Sequence, residues 1–226
     1  MNLTDRLEEI IRWVPKCTRV IDVGTDHALV PIALIARGVT QCGVGIDKSP
    51  LPLGKAIVNR HNAQQIDRLE LLCANGLESL DTRDSDVVVM AGMGGRTMLD
   101  VLQRASWRGR LVVQPNSDLP LLRQWLYENG WTNDVETVIE ENNQYFWTSR
   151  WSRVDAESPY EQVIEPLDLE FGRRTHIVSE AVFGQWFESE FNRLKSLPVQ
   201  APSREKMPLY VEMSARLRLS KSDILG

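Results

Sequence analysis

The sequence predicts an α/β fold in which helices cover both faces of a mostly parallel, doubly wound β-sheet that ends in an antiparallel hairpin. Short β-branched segments alternate with helical segments from residue 19 to about residue 130, as in successive β-α-β units. Two further extended segments, at 131–139 and 145–151, flank a polar turn at 140–144 and predict the closing hairpin. Two helical segments beyond them predict a small C-terminal helical hairpin.

The composition indicates one sizeable globular domain with a small appendage. The chain has 226 residues, of which 42% are hydrophobic and 25% are charged, as in ordinary soluble proteins. Its apolar runs are shorter than the ~20 residues that a membrane span needs, and its charged N-terminus is unlike a secretory signal. We therefore predict a first domain over residues 1–155 and a helical appendage over residues 165–226, joined by a polar linker at 152–166.

Charge and cysteine usage restrict the classes of function. The net charge of −5 argues against a broad nucleic-acid surface, so any RNA must bind a local basic face. The three cysteines lack a C-x-x-C arrangement and predict reduced thiols in a cytoplasmic protein. The three histidines are scattered, so no metal site is predicted. The oligomeric state stays open, with a monomer favoured.

The first element is an amphipathic helix over residues 4–14, with Thr4 as its N-cap. Its apolar face is formed by Leu7, Ile10, Ile11 and Val14. Arg6 lies on this helix and could grip an RNA backbone, although a solvated helix face is the ordinary interpretation of such a charge.

A buried parallel strand is predicted at residues 19–23, because this short segment is rich in β-branched residues. Gly24 ends the strand, and a helix begins at about Ala28, with Pro31 tolerated in its first turn. A strand, a glycine turn and a helix start together form a cradle for a nucleotide-type cofactor.

The residues that follow Gly24 indicate which cofactor fits. A dinucleotide site needs three glycines so that the pyrophosphate can lie on backbone N–H groups, whereas here Asp26 and His27 occupy that place. A carboxylate repels a pyrophosphate and attracts a cation. S-adenosylmethionine carries an ammonium and a sulfonium but no phosphate, so the charge favours it over NAD, FAD or ATP. The alternative is that Asp26 only caps the helix.

The next two strands, at residues 42–46 and 69–73, are each followed by a polar residue at the same edge of the sheet. Asp47 follows strand two about 20 residues after the glycine turn, where a carboxylate accepts the hydroxyls of an adenosine ribose. Asn75 follows strand three, and its amide could contact the adenine ring. The alternatives are an ordinary strand-end carboxylate for Asp47 and a simple Asn-Gly turn for Asn75.

Strands four and five, at residues 86–90 and 110–114, lead into two further motifs. Strand four is continuous and apolar, as a central parallel strand should be, and runs into AGMGG at 91–95. These glycines let the backbone approach a ligand and expose N–H groups at a helix start, or else they serve tight strand-to-helix packing. Strand five runs into Gln114, Pro115 and Asn116, and a helix follows from about residue 118 to Gly130.

The C-terminal segment predicts two helices. The first has an aromatic stripe at helical spacing, which predicts core packing, formed by Val182, Trp186 or Phe187, Phe191 and Leu194. The second covers about residues 208–219. A basic rim for RNA could be formed by Arg173, Arg174, Arg216 and Arg218, although solvated charges are the ordinary interpretation.

These motifs together resemble those of the bacterial tRNA (adenine(22)-N(1))-methyltransferase family, whose members are class I S-adenosylmethionine-dependent enzymes with a Rossmann-like fold. The resemblance covers residues 3–151 and rests on IDVGTDHALVP, VVVMAGMGG, LVVQPN and LRQWLYENGW. Family members add a helical hairpin associated with holding the tRNA. Residues 167–197 are similar to its first helix, and the chain beyond them is short for a full partner helix. The chain departs from the family at Leu29, Val30, Asp47 and Asn75, where Tyr, Leu, Glu and Asp are common.

The resemblance implies methyl transfer from S-adenosylmethionine to N1 of an adenine in tRNA, the expected partner. Adenine N1 has an available lone pair, so alignment for in-line attack supplies much of the rate. Asp26 is predicted to stabilise the positive charge on the base or to take a proton from N6, with His27 orienting it or contacting the target. AGMGG replaces the Asn/Asp-Pro-Pro-aromatic motif of enzymes that methylate exocyclic amines, which favours a ring nitrogen.

The predicted site residues fall into three groups. The catalytic residues are Asp26 and His27. The donor-binding residues are Asp22, Gly24, Thr25, Asp26, His27, Asp47, Lys48, Asn75, Gly76, Ala91, Gly92 and Met93. The substrate-binding residues are Arg6, Gly94, Gly95, Gln114, Pro115 and Asn116. Two other functions stay open: a methyltransferase for a small molecule or protein, and a non-catalytic module that binds cofactor or RNA. An NAD-dependent enzyme is a distant third.

Overall fold

The computed structural model describes residues 3–153, 164–173 and 176–224, with side chains described to residue 217. The helices are α1 (Asp5–Trp13), α2 (Leu29–Ala36), α3 (Pro50–Asn62), α4 (Gly95–Arg104), α5 (Leu119–Glu128), α6 (Pro166–Phe171), α7 (Glu180–Ser196) and α8 (Met207–Ile224). The strands are β1 (Cys17–Val23), β2 (Thr40–Asp47), β3 (Leu69–Cys73), β4 (Val87–Ala91), β5 (Arg110–Gln114), β6 (Trp131–Glu141) and β7 (Gln144–Arg153).

Within the described residues the strands form a seven-stranded sheet in the order β3-β2-β1-β4-β5-β7-β6. Strands β1 to β5 are parallel, whereas β7 is antiparallel to both β5 and β6. The strand order reverses between β1 and β4, and doubly wound sheets bind ligands at the carboxyl ends of their strands beside such a reversal. The predicted fold class is therefore confirmed.

Helices cover both faces of this sheet. On one face, α1 and α2 pack against the strands, with Ile10 and Leu34 in the same cluster as Val20. On the other face, α4 and α5 contribute Met98 and Leu122 to the largest core cluster. Helix α1 begins at its predicted cap, where the Thr4 hydroxyl oxygen accepts a hydrogen bond from the Leu7 N–H. Strand β4, at the centre of the sheet, is almost entirely buried and is apolar throughout, as a strand covered on both faces should be.

The β6–β7 hairpin is longer and its turn is tighter than the sequence predicted. Asn142 and Asn143 form a two-residue turn in which both have positive φ, 53° and 60°, as Asn tolerates in type I′ hairpins. Glu140 pairs with Tyr145, and Glu141 with Gln144, so the ladder continues through residues assigned to the turn. The predicted five-residue turn at 140–144 is therefore wrong, and the hairpin tip extends toward α1.

The C-terminal helices pack on this hairpin and form a second core. Phe183, Phe187 and Leu194 of α7 are buried in one cluster with Val138 and Trp147 of the hairpin. The prediction that the aromatic stripe of this helix is core is confirmed. Helix α8 has 18 residues against 17 in α7, and it extends beyond the predicted range of 208–219 at both ends.

The described residues just before α7 do not continue that helix toward its N-terminus. A continuous helix over residues 167–197 is not formed, because α6 ends at Phe171 and Gly172 follows with a positive φ of 73°. The chain then returns to the sheet, where Ile177 makes a parallel bridge with Glu136. Helices commonly end at a glycine with positive φ, so Gly172 is the residue in the sequence that marks the end of α6.

A buried ion pair of the sheet domain lies where α6 packs against it. The Nε of Arg123 in α5 lies 3.0 Å from Oε1 of Glu136 in β6, and both side chains are at most 1% exposed. The same guanidinium donates to the carbonyls of Leu169 and Glu170 in α6, at 2.8 and 3.0 Å. It also lies over the Trp147 ring, 5.0 Å from its centroid. Replacing either residue by an uncharged one would leave the charge of the other buried without a partner.

Several expectations concern residues outside the described ranges. The described ranges omit most of the predicted linker at 152–166 and the predicted boundary near residue 155. They also omit Arg174 and the side chain of Arg218. The division into residues 1–155 and 165–226 stays a prediction. Among the described helices, none is both long and apolar enough to cross a membrane.

Candidate active site

A left-handed turn joins β1 to α2. Gly24 has φ of +77°, Asp26 of +42° and Ala28 of +55°, and α2 begins directly afterwards at Leu29. The helix cap is Ala28, without a side-chain hydrogen bond, so the alternative that Asp26 caps this helix is wrong. The turn instead presents Asp26 and His27 at the carboxyl edge of the sheet, with more than half of the Asp26 side chain (59%) exposed.

Three backbone N–H groups of this turn donate hydrogen bonds to carbonyls of the protein itself. Those of Gly24 and Thr25 both donate to the Ile46 carbonyl, at 2.7 and 2.9 Å, and that of Ala28 donates to the Thr25 carbonyl at 2.7 Å. A pyrophosphate needs such groups to be available, because its binding at a helix start depends on them. The N–H groups of Gly24, Thr25 and Ala28 are therefore not available to a pyrophosphate, in agreement with the charge argument from the sequence.

Asp22 lies beneath the turn as a buried carboxylate. It is 5% exposed, and its Oδ2 accepts a hydrogen bond of 2.6 Å from the Thr25 hydroxyl. Burial raises the pKa of Asp22 from its ordinary 3.8 to about 6; the Thr25 hydrogen bond opposes this rise, and the charge of Asp47 adds to it. A negative charge kept in the interior at neutral pH, against its desolvation cost, is a feature of binding sites for cations.

The buried carboxylate predicts an unusual pH dependence of stability. Because the pKa of Asp22 is higher in the folded chain than its ordinary value, the folded state holds an extra proton between pH 4 and 6, and stability falls as pH rises through this range. The difference from 3.8 to about 6 corresponds to about 3 kcal/mol. We expect Asp22→Asn to match the wild type at pH 4 and to exceed it by about that amount at pH 7.5.

Urea unfolding of both proteins from pH 4 to 8, without donor, measures this difference. Asp100→Asn is the control, because the exposed Asp100 carboxylate pairs with Arg104 on the surface of α4. If the difference in unfolding free energy between Asp22→Asn and the wild type did not change with pH, the raised pKa of Asp22 would be contradicted.

Asp26 and His27 form an exposed pair above Asp22. Oδ2 of Asp26 lies 3.4 Å from Nε2 of His27, so the imidazole can orient the carboxylate as predicted. Among the described residues, no three His, Cys, Asp or Glu side chains are placed together to hold a metal ion.

The facing wall comes from the β4–α4 loop. Gly92 has φ of +74°, a conformation that favours glycine, and its carbonyl accepts a hydrogen bond of 2.7 Å from the Asn116 amide. The Asn116 N–H donates to the Met93 carbonyl at 2.9 Å. Asn116 therefore holds the glycine loop in place at the edge of the site.

The prediction that the AGMGG glycines offer N–H groups to a ligand is wrong for two of them. The Gly92 N–H donates to the Gln114 carbonyl, and the Gly95 N–H donates to the Ser117 carbonyl. A Cβ on Gly95 would lie 2.8 Å from the carbonyl oxygens of Ser117 and Asp118, and one on Gly94 would lie 3.0 Å from the Ser117 hydroxyl. Close packing of the loops, the alternative interpretation, explains Gly94 and Gly95.

These walls enclose a cavity of about 390 Å³. Its lining combines the β1–α2 turn, the β4–α4 loop and the first turns of α1 and α2, and consists of Arg6, Leu7, Asp22, Gly24, Thr25, Asp26, His27, Leu29, Val30, Ala91, Gly92 and Asn116. Leu7, Leu29 and Val30 were not predicted as site residues, since apolar residues on helix faces ordinarily indicate core. The remainder were predicted, and the fold brings them together.

Other predicted site residues lie outside this cavity. Two of them lie at the end of β2, where Asp47 is the last residue of the strand and Lys48 follows it. Asn75 and Gly76 come after β3, so all four lie along the same edge of the sheet, away from β4. The Oδ1 of Asp47 accepts a hydrogen bond of 2.8 Å from the Ser49 N–H, and the Asp47 carbonyl accepts one from Ala74. Met93 packs toward the turn, since a Cβ on Gly24 would lie 2.5 Å from its Cε.

Gln114 and Pro115 are interior residues. The Gln114 side chain is fully buried, and its amide donates to the Thr148 hydroxyl at 2.7 Å and to the Arg6 carbonyl at 3.4 Å. Direct contact of Gln114 with substrate is therefore not supported. It ties β5 to β7 and α1, which places Arg6 at the cavity.

The site fits a cationic ligand without phosphates. Asp22 and Asp26 supply two carboxylates at one end, and Asp47 supplies a third carboxylate along the edge of the sheet. These carboxylates are acceptors that suit the ammonium and sulfonium of a methyl donor at one end and ribose hydroxyls at the other. With the strand order of the sheet, this site defines a class I methyltransferase.

Comparison with known proteins agrees with this class. The model of a methyltransferase domain family matches residues 3–148, and the chain belongs to this family. Within it, the predicted resemblance to the tRNA (adenine(22)-N(1))-methyltransferases is confirmed. The chain is 22% identical over 234 residues to the Bacillus subtilis protein of that name, covering 99% of this chain and 98% of the relative.

Two further comparisons extend the likeness. A putative tRNA (m1A22) methyltransferase of Streptococcus pneumoniae, solved with S-adenosyl-L-methionine, is 26% identical with a TM-score of 0.81, covering 93% of this chain and 99% of that one. The structure of M. capricolum TrmK with S-adenosyl-homocysteine has a TM-score of 0.77 at 23% identity, covering 98% and 97%. At that identity the likeness to TrmK shows the fold alone.

Proposed function

We propose that this protein transfers a methyl group from S-adenosylmethionine to N1 of an adenine in tRNA, at position 22 as the name of the Bacillus subtilis relative states. The observation that carries the proposal is the pair of carboxylates, Asp22 and Asp26, that line one cavity at the carboxyl edge of the sheet. This arrangement attracts a sulfonium donor and disfavours phosphorylated cofactors.

For this methyl transfer the protein needs to align the two reactants and to stabilise the charge that develops. S-adenosylmethionine supplies an electrophilic methyl group, and adenine N1 already carries the lone pair that attacks it. Asp26 stands at the exposed mouth of the cavity, where a carboxylate stabilises the positive charge developing on the base and can accept a proton from N6. His27 orients this carboxylate through their 3.4 Å contact. Gly92, facing them, has no side chain to hold an exocyclic amine.

The tRNA must present its adenine unpaired, because a stacked base cannot reach the cavity. Helix α1 stays a candidate for contact with the RNA. The predicted basic rim on the appendage is not supported by its two described members. Arg173 lies over the Tyr127 ring and 3.8 Å from Asp168, and Arg216 pairs with Glu165 and Glu212. Both guanidinium groups are engaged within the protein.

The cellular setting follows from the substrate. A tRNA-modifying enzyme with reduced cysteines acts in the cytoplasm, and the described cysteines are all unpaired thiols. We infer a cytoplasmic location and a monomer that needs no metal.

Nucleoside analysis tests the proposed function. Unmodified tRNA incubated with the protein and S-adenosylmethionine is digested and analysed by chromatography and mass spectrometry. We expect 1-methyladenosine, and we expect it to disappear when adenine 22 of the transcript is replaced by guanine. Methyl transfer to proteins or metabolites with none to tRNA would contradict the proposal and favour the small-molecule or protein alternative.

A further inference from the structure

Residues 48–68, which include α3, form a basic stretch in an acidic protein. Four basic side chains and one acidic one give this stretch a net charge of +3, whereas the whole chain carries −5. The basic residues are Lys48, Lys55, Arg60 and Arg68. A protein with a negative net charge needs a local basic face to bind a polyanion, and this stretch provides one.

The charges of this stretch are not neutralised by neighbouring carboxylates. Lys48, Lys55 and Arg68 are exposed, and within the part of the chain that the structure describes none of the three forms an ion pair. Arg37, at the end of α2, shows the contrast, because both of its terminal nitrogens are bound by the Glu8 carboxylate at 2.6 Å. The charges around α3 are therefore available to an anionic partner.

Helix α3 buries one face and exposes the other. Leu53 and Ala56 are buried against the domain, whereas Leu51, Lys55 and Val58 recur on the opposite face at helical spacing. Leu51 is 84% exposed and Val58 is 57% exposed. Aliphatic side chains beside unpaired cations suit a partner that is anionic and partly apolar. A sugar–phosphate backbone has both properties, because its ribose carbons lie between the phosphates.

The position of α3 connects this face to the candidate active site. The helix starts at the carboxyl edge of the sheet, directly after β2, and its Asn59 amide donates to the His27 carbonyl at 2.9 Å. With 13 residues it is about 20 Å long, which corresponds to about six phosphates of one strand. A nucleic-acid strand along α3 would thus lie on the element that holds the turn of Asp26 and His27.

On the basis of the proposed function, we propose that the exposed face of α3, together with Arg68 directly before β3, binds the sugar–phosphate backbone of the tRNA. Arg60 has a different role, because its Nη1 donates to the Leu69 carbonyl at 3.0 Å and joins α3 to β3. The face lies on the sheet domain rather than on the appendage, whose described arginines Arg173 and Arg216 are engaged within the protein.

Filter binding of an unmodified tRNA transcript tests this face. We expect the double variant Lys55→Gln with Arg68→Gln to raise the Kd for tRNA about 5- to 50-fold at ~50 mM salt, because two phosphate contacts are lost. The slope of log Kd against log salt concentration should decrease by about 1 to 2. The double reversal Lys55→Glu with Arg68→Glu should weaken binding further, since it adds repulsion.

Two readouts separate this role from a general loss of structure. The Kd for S-adenosylmethionine should stay within about twofold of the wild type in the Gln variant. The KM for tRNA should rise, while kcat at saturating tRNA should stay within about threefold, because Lys55 and Arg68 lie outside the residues that line the cavity.

The matched control is the double variant Arg83→Gln with Arg110→Gln, which removes the same charge at the opposite edge of the sheet. Both side chains are exposed, Arg83 shortly before β4 and Arg110 at the first position of β5. Within the described residues neither forms an ion pair. The control should keep the Kd for tRNA within about twofold of the wild type.

Unchanged tRNA affinity in the Lys55 and Arg68 variants would overturn the assignment of α3 and is the result expected if the face binds an acidic protein instead. An equal loss of affinity in the control would also overturn it, since net charge alone would then explain the effect. Either result would leave the proposed function standing, because the wild type would still methylate tRNA. Failure of the wild type to bind or methylate tRNA would overturn the proposed function, and this inference with it.

Discussion

Asp26→Asn is expected to lower kcat for tRNA methylation at least ~100-fold while changing the Kd for S-adenosylmethionine less than ~10-fold. Asparagine keeps the shape of the side chain and removes the charge that stabilises the methylated base. The buried Asp22 still provides a negative charge for the donor, which is why binding should survive. Single-turnover methylation and calorimetric titration separate the two quantities.

The matched control is Asp100→Asn, since Asp100 is an exposed carboxylate on α4, outside the residues that line the cavity. Its kcat should equal that of the wild type within about twofold. A loss of donor affinity with kcat unchanged in Asp26→Asn would contradict the catalytic assignment and make Asp26 a donor-binding residue only. Unchanged kcat together with unchanged donor affinity would exclude both roles.

Arg123→Met is expected to cost about 3–5 kcal/mol of unfolding free energy, the largest stability effect that we predict. It leaves the carboxylate of Glu136 buried without its ionic partner, and it removes the donor that holds the Leu169 and Glu170 carbonyls. Because these contacts join α5, β6 and α6, the appendage should loosen together with the sheet domain. Urea unfolding followed by circular dichroism measures the loss.

Arg150→Met is the matched control for this prediction. Its Nε lies 3.0 Å from Oδ2 of Asp134, the same separation as in the buried pair, but the side chains are 30% and 22% exposed. Exposed pairs are worth at most about 1 kcal/mol, so the loss should be small. The double variant Arg123→Met with Glu136→Leu should recover much of the stability, because no buried charge remains. A loss in Arg123→Met no larger than the control would contradict the account.

Most of the sheet could be predicted because its strands are short, buried and β-branched. Strands β3 and β5 have the predicted bounds, and the carboxyl ends of β1 and β4 meet as the alternation of strands and helices required. The charge of Asp26 favoured a cofactor without phosphates before any geometry was known, and the engaged N–H groups of Gly24 and Thr25 agree with it.

The remaining features depend on contacts between residues far apart in the chain. Arg6 and Glu141 are 135 residues apart, so helical periodicity alone could not show that Arg6 lines the cavity. Gln114 resembled a site residue because it ends a central strand, but it is buried and its amide nitrogen donates to the hydroxyl of Thr148, 34 residues later. The resemblance predicted one helix over residues 167–197, but Gly172 interrupts it with a positive φ, which an apolar pattern does not reveal.

The central claim is that the carboxylates after β1 select a cationic donor and reject phosphorylated cofactors. Calorimetric titration of the wild type with S-adenosylmethionine, S-adenosylhomocysteine and NAD tests it most directly. We expect the two sulfur nucleosides to bind and NAD to give no heat of binding. Tight binding of NAD, with none of either S-adenosyl compound, would contradict the account.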